Sequence, residues 1–408
     1  MRKLLFLPRL TCADSGPPLR AAVPAKTNIN PPAPTLTEPL PAAPASEEQL
    51  TPTAVAFPLG WLLEQDAPAL HYRAFADVMR DASAENLAAL PLTSRGAVLL
   101  ALEQQPDGRW NERMLTVPSG RAESFEGVGT IPAVQRLLEY GFGSDTPPLL
   151  HARRLLFRLL AEDDDPSLLH ELGVRNADEE MVRRGRTILR EASAATLAQA
   201  GFEGDPRLRG AARRIIERLE AYLSSPLAEK PWVRVGNQQV LAAEAYPPSF
   251  HSLRMLAHMP LLRHEHYVTM NRLYDYLTHP LPRQESAQLV GKRIVPQPHL
   301  VLGDRLPHRN AVDADVPFAL MWLETMARLN FLRRNENWSK LFERFIEDRD
   351  AAGVWHPHKG MEMPHSRSPF VWPLFPLTDS TSGDARWADV TFRIGLVARL
   401  AGRDIELS

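Results

Sequence analysis

The stretch GFGSDTPPLLHARRLLFRLL, residues 141 to 160, returns 60 residues later as GFEGDPRLRGAARRIIERLE, residues 201 to 220. Gly, Phe, Asp, Ala, three Arg and Leu recur at matched positions without a gap. A fixed internal period marks one supersecondary unit used more than once. In the first copy Leu149, Ala152, Leu155, Leu156, Leu159 and Leu160 form an apolar stripe at helical spacing. In the second, Ala212, Ile215, Ile216 and Leu219 do the same. Thr146-Pro147 and Asp205-Pro206 open the two helices, with proline in the first turn where its missing N–H costs little. The rhythm is helix, Gly-Phe, Asp, helix.

Outward from the repeat, the pattern stays helical. The spacing predicts helices over Leu70 to Met79, Gly96 to Gln105, Thr130 to Tyr140 and Ala177 to Ala200. Further helices are expected over Phe250 to His258, His264 to His279, Val316 to Leu329, Asn337 to Glu347 and Ala388 to Ala401. No run alternates convincingly enough to predict a strand. Two stretches, Arg283 to Asp315 and Met361 to Ser382, are proline-bearing and aperiodic and read as long loops. Loops of that length in a compact domain are uncommon and often line or roof a site.

Residues 13 to 53 carry ten prolines and almost no aromatics. Such a segment cannot bury enough apolar surface to offset its ordering entropy. The expected organisation is a disordered proline-rich arm over residues 1 to 55 and one folded domain over 56 to 408. The whole chain has 408 residues with 44% apolar content, enough for a large core. Lys+Arg 47 against Asp+Glu 49 leaves no basic excess, so nucleic acid is not an expected partner. The lone cysteine, Cys12, excludes an intramolecular disulfide and a cysteine-based site in the domain. No stretch reaches ~18 apolar residues, so no transmembrane segment is expected. Pro8 and Arg9 interrupt the apolar run after Leu4 to Leu7, which makes a poor signal sequence. The expected location is cytoplasmic, with export as the alternative.

Gln104-Gln105-Pro106-Asp107-Gly108-Arg109-Trp110 resembles the QW repeat motif of the squalene-cyclase and prenyltransferase superfamily, and Ala352-Gly353-Val354-Trp355 resembles a degenerate copy. The resemblance implies an all-α fold, a single α/α toroid of about six helical hairpins in two concentric rings. It implies isoprenoid chemistry in the central cleft. Asp313-Ala314-Asp315-Val316 is similar to the Asp-x-Asp-Asp acid motif of the cyclases, with Val in the last place. Asp315 would then stand where the family has its proton donor. The zinc site of the protein prenyltransferases needs a cysteine that this domain lacks.

Ten of the 13 histidines lie between His251 and His365. Three clusters follow. The first is His299, Asp304, His308, Arg309, Asn310, Asp313 and Asp315 on or beside the long loop. A histidine with two carboxylates could do acid–base work or hold a divalent metal. Asp304, His308, Asp313 and Asp315 are the catalytic candidates and Arg309 and Asn310 the ligand-binding ones. The competing reading is that Asp313 and Asp315 merely start the helix at Val316. The second cluster, Trp355, His356 and His358, is a candidate ligand wall or a set of packing residues. The third is His251 and His258, seven apart on one helical face, with His264-Glu265-His266 after them. Core histidines are the expectation there. Arg153-Arg154 and Arg213-Arg214 are expected to tie neighbouring hairpins through carboxylates. Three functions stay open: a cleft for a hydrophobic or isoprenoid-like molecule, catalytic or not; a non-catalytic scaffold; and a carbohydrate site. A small-molecule ligand is the expected partner. The residues leave metal, cofactor and oligomeric state open.

Overall fold

The computed structural model describes residues 54–118, 125–161, 166–173, 177–308, 311–357, 364–378 and 383–408. The chain divides between Leu50 and Thr51, and the second unit is the one described. The proline-rich arm, Asp163 to Asp165, Arg309, Asn310 and His358 lie outside the described residues. The helices in order are α1 (Leu59–Leu63), α2 (Pro68–Arg73, prolonged by a π turn over Ala74–Met79), α3 (Arg95–Leu102), α4 (Thr130–Tyr140), α5 (Pro147–Leu159), α6 (Glu179–Gln199) and α7 (Pro206–Leu223). They continue as α8 (Phe250–Ala257), α9 (Pro260–Glu265), α10 (Tyr267–Leu277), α11 (Ala311–Ala314), α12 (Val316–Arg328), α13 (Glu336–Glu347) and α14 (Ala388–Leu400).

The repeat is a buried helix followed by an amphipathic one. Helix α4 buries almost every side chain, whereas α5 buries Leu149, Ala152, Leu156, Phe157 and Leu159 along one stripe. The same alternation recurs from α6 to α7 and from α12 to α13. A left-handed residue stops most of the buried helices: Arg80, Gly141, Gly201, Asn330 and Gly402 all have positive φ. After three of them the next N–H reaches back five residues: Phe142 to Leu137, Phe331 to Met326, Arg403 to Ala398. That bond satisfies an orphan carbonyl and turns the chain outward. Glycine at 141 and 201 takes this conformation without the Cβ penalty, which explains why Gly heads both copies of the repeat. Helix α8 ends differently, at Ala257, two residues before Met259-Pro260, because the residue preceding proline disfavours the helical region.

The buried helices pack in cyclic order. Helix α4 lies on α6, α6 on α8, α8 on α12 and α12 on α14; α14 returns to α2, and α2 packs on α4. Where they meet, charged side chains from different helices converge. Glu139 of α4 accepts hydrogen bonds from Arg73 of α2 at 2.5 Å, Arg393 of α14 at 2.7 Å and Gln199 of α6 at 2.8 Å. Arg393 also reaches Glu324 of α12 at 2.8 Å, and Arg328 holds the other oxygen of Glu324. Burial alone would raise the Glu139 carboxyl, but Arg73 and Arg393 outweigh it and hold it far below the carboxylate range.

The all-α expectation needs one correction, since small sheets accompany the helices. Strands β2 (Trp232–Val235), β3 (Gln238–Leu241), β4 (Ala287–Val290) and β5 (Arg293–Pro296) form one sheet in that order. Two antiparallel hairpins turn at Gly236-Asn237 and Gly291-Lys292 and join through parallel β3–β4 pairing at Leu241 and Gln288. The long stretch from Arg283 to Asp315 is therefore part sheet. Its strands are four residues long, too short for a visible alternation, and the two-residue Gly turns were the available signal. Strand β1 (Val55–Phe57) pairs in parallel with β6 (Ile405–Leu407), which brings the two ends of the domain together.

Both QW-like turns have one construction. Gly108 and Gly353 have φ near +90°, and each following Trp donates its backbone N–H to a threonine hydroxyl on a buried helix, Thr130 or Thr391. A Cβ at Gly108 would meet the His151 carbonyl oxygen at 2.7 Å. Gln104 donates to the carbonyls of Gly108 and Pro148, tying the turn to the start of α5. Of the repeated arginines, Arg153 stacks over the ring of Phe202, 5.4 Å away. The Phe after the helix-ending glycine offers an aromatic face within reach of the guanidinium.

Candidate functional site

A cavity of about 410 Å³ opens beside the charged centre. Helix α4 contributes Ile131, Pro132 and Gln135; α6 contributes Met181, Arg184 and Ile188; α8 contributes Phe250, His251, Leu253 and Arg254. Met321 and Thr325 of α12 complete that wall. The sheet and the segment after it roof the cavity with Val290, Val295 and Pro296 to His299, and Pro369, Phe370 and Pro373 close another side. These residues come from the two long stretches that read as loops. Phe250 stacks on Phe370 with centroids 4.5 Å apart, which fixes the Phe370 segment over α8. Most of the wall is aliphatic, aromatic or proline, in a volume within the range of about 300–1,000 Å³ typical of ligand pockets.

Few polar groups face this space. Arg254 donates to the Gln135 side-chain oxygen at 2.6 Å and to the Phe370 carbonyl at 3.1 Å. Gln135 in turn donates to Thr196. Arg184 donates to the Ala243 carbonyl at 2.7 Å and lies 4.1 Å from the Tyr246 ring centre. Its Nε is buried and has no hydrogen-bond partner. His251 and His299 stack with centroids 6.3 Å apart. Burial pushes His251 well below the usual histidine range, and His299 and Arg254 push the same way. Burial likewise brings His299 down to about 4, with Arg184 adding to it. Both rings are therefore neutral at pH 7. His251 and Arg254 are half-buried by area, and both belong to the cavity wall. Among the described residues, the one carboxylate in the lining is Glu171, which already accepts the N–H groups of Met114 and Leu115.

The loop cluster singled out from the sequence lies elsewhere. Asp315 caps α12 through the Phe318 N–H at 2.9 Å, and its other oxygen accepts the Ser366 hydroxyl. Asp313 pairs with Arg344 at 2.5 Å. Asp304 accepts the Leu306 N–H and the indole N–H of Trp338. Burial raises the Asp304 carboxyl, against the effect of those two bonds. His308 is exposed. Of the described members of the first cluster, only His299 lines the cavity. Trp355 is buried edge-on to Trp387, and His356 bonds Asp350 at 2.9 Å. Among the described residues, no three His, Cys, Asp or Glu side chains converge as metal ligands.

The third histidine cluster, expected as core residues, lies partly in the cavity wall. His251, Arg254 and His258 share a face of α8; His251 reaches the cavity and His258 the charged centre, where burial and Arg328 push it well below the histidine range. Sequence reasoning missed Arg184, Gln135 and Arg254. Gln135 and Arg184 are two of many buried polar side chains, and nothing local in the sequence sets them apart. Compared with protein-family models, curated proteins and solved structures, the chain finds no match.

Proposed function

We propose that the domain is an α/α toroid whose cavity binds a hydrophobic, isoprenoid-sized molecule. The cyclic packing of α2, α4, α6, α8, α12 and α14 supports the ring. The cavity carries the ligand reading: about 410 Å³, walled mainly by Leu, Ile, Val, Met, Phe and Pro. Empty apolar space of that size costs a fold stability unless something fills it. We assign binding and not turnover, because Asp304, Asp313 and Asp315 are each engaged in capping, ion pairing or hydrogen bonds. A sugar site would need an open polar cleft with exposed tryptophan faces, whereas Trp322, Trp355 and Trp387 fill the core.

The test is organic extraction and mass spectrometry of the purified protein, with melting curves in the presence of C15 and C20 prenyl alcohols. Binding to the native state alone raises the melting temperature in proportion to the logarithm of ligand concentration. The expected result is a saturable rise that disappears in Ile188→Trp, which fills the cavity. No rise with any apolar ligand would overturn the reading.

A further inference from the structure

We propose that the molecule in this cavity carries an anionic head, held between Arg184 and Arg254. The inference rests on the apolar-ligand reading and adds the chemistry of one end. Two guanidiniums face a space whose other walls are mostly apolar. A buried charge is stable only when paired and hydrogen-bonded. Most carboxylates nearby are already committed, and Glu191, which acts on Arg184 through space, accepts the Ser249 hydroxyl. Glu139 and Glu324 are held by Arg73, Arg393 and Arg328. Glu171 is held by two backbone N–H groups.

Arg254 is left with two neutral acceptors, the Gln135 amide and the Phe370 carbonyl. Arg184 has the Ala243 carbonyl, a Glu180 oxygen at a distant 3.9 Å, and an Nε with nothing to donate to. Each guanidinium has five N–H donors, so both keep donors to offer. Burial lowers both arginines, as expected for cations short of counter-charge. His251 and His299 stand in the same wall, each close enough to an arginine to feel its charge. As neutral imidazoles they add N–H donors without adding charge. A carboxylate or phosphate oxygen pair accepts from donors of this kind, and its charge would complete the pairing. The apolar tail would then run along Ile131, Ile188, Leu253 and the Val290–Val295 roof.

The experiment titrates the full chain with hexadecanoate, hexadecyl phosphate, hexadecanol and methyl hexadecanoate, in the wild type, Arg254→Gln, Arg184→Gln and Ile188→Trp. The expected result is that an anionic amphiphile binds at least tenfold tighter than the alcohol or ester. Whichever anion binds tighter identifies the head as carboxylate or phosphate. Arg254→Gln and Arg184→Gln should each remove most of that preference, weakening the anion far more than hexadecanol. Two arginine sites on two helices guard against one variant failing to fold, and a melting curve checks each. Equal affinity for acid and alcohol in the wild type overturns the head-group inference and leaves the apolar pocket standing. Equal weakening of every probe by the arginine variants also overturns it, since that is the mark of a structural role. If no probe binds, the pocket reading falls and the head group with it.

Discussion

Replacing Glu139 by Gln tests the charged centre that holds the buried helices together. Glutamine keeps the shape, so no cavity is created, but it removes the charge that two buried guanidiniums share. Arg73 at 2.5 Å and Arg393 at 2.7 Å would then face each other across a neutral amide. Removing one partner of a buried ion pair costs about 3–5 kcal/mol, and because Arg73 keeps Asp77 and Arg393 keeps Glu324 the loss lies toward the lower end. At roughly 2 °C per kcal/mol for a large domain, the melting temperature should fall by about 6–10 °C. Urea melts at pH 7 should show the same loss as a lower midpoint with an unchanged slope. The pH dependence supplies a second readout. The folded carboxyl is held far below its unfolded value of about 4.3, so its stabilisation is present above that pH and is lost as pH falls. The gap between wild type and variant should therefore narrow below about pH 4. A loss under about 1 kcal/mol at pH 7, or a gap that does not change with pH, would refute the reasoning.

Other outcomes are expected from the same physics. Trp338→Phe deprives buried Asp304 of its indole donor, worth about 1–3 kcal/mol, and leaves part of the indole volume empty, so a loss at or above that range is expected in urea melts. Glu336→Gln removes only an exposed pair with Lys340 and should leave the melting temperature unchanged. Gly108→Ala forces a Cβ against the His151 carbonyl at positive φ and should lower the melting temperature, whereas Gly204→Ala, with open space around it, should not. His299 is held neutral down to about 4, so the unfolded chain takes up a proton first as pH falls from about 6.5. Stability should therefore decline between about pH 6.5 and 4, and His299→Asn should flatten that slope in melts across the range.

The helices were legible because their signals are local. Gly141 and Gly201 mark where α4 and α6 stop, and Asp205-Pro206 marks where α7 starts, each for a backbone reason that needs no neighbour. The four-stranded sheet was not legible, since the β3–β4 pairing joins segments more than 40 residues apart through one residue pair. The site was half legible. The stretch from Arg283 to Asp315 does roof the cavity, and His299 lies in its wall. In sequence, a carboxylate before an apolar helix looks the same whether it caps or catalyses. Asp315 caps. Arg184 and Arg254 were hidden for the opposite reason: in an arginine-rich chain, only packing shows which guanidiniums lack a counter-charge.

Calorimetric titration of the purified full chain with a C20 prenyl alcohol, beside Ile188→Trp, tests the central claim most directly. The cavity predicts one site per chain, a negative heat-capacity change from apolar burial, and no binding in the filled variant. Absence of saturable binding, or equal binding by wild type and Ile188→Trp, would contradict it.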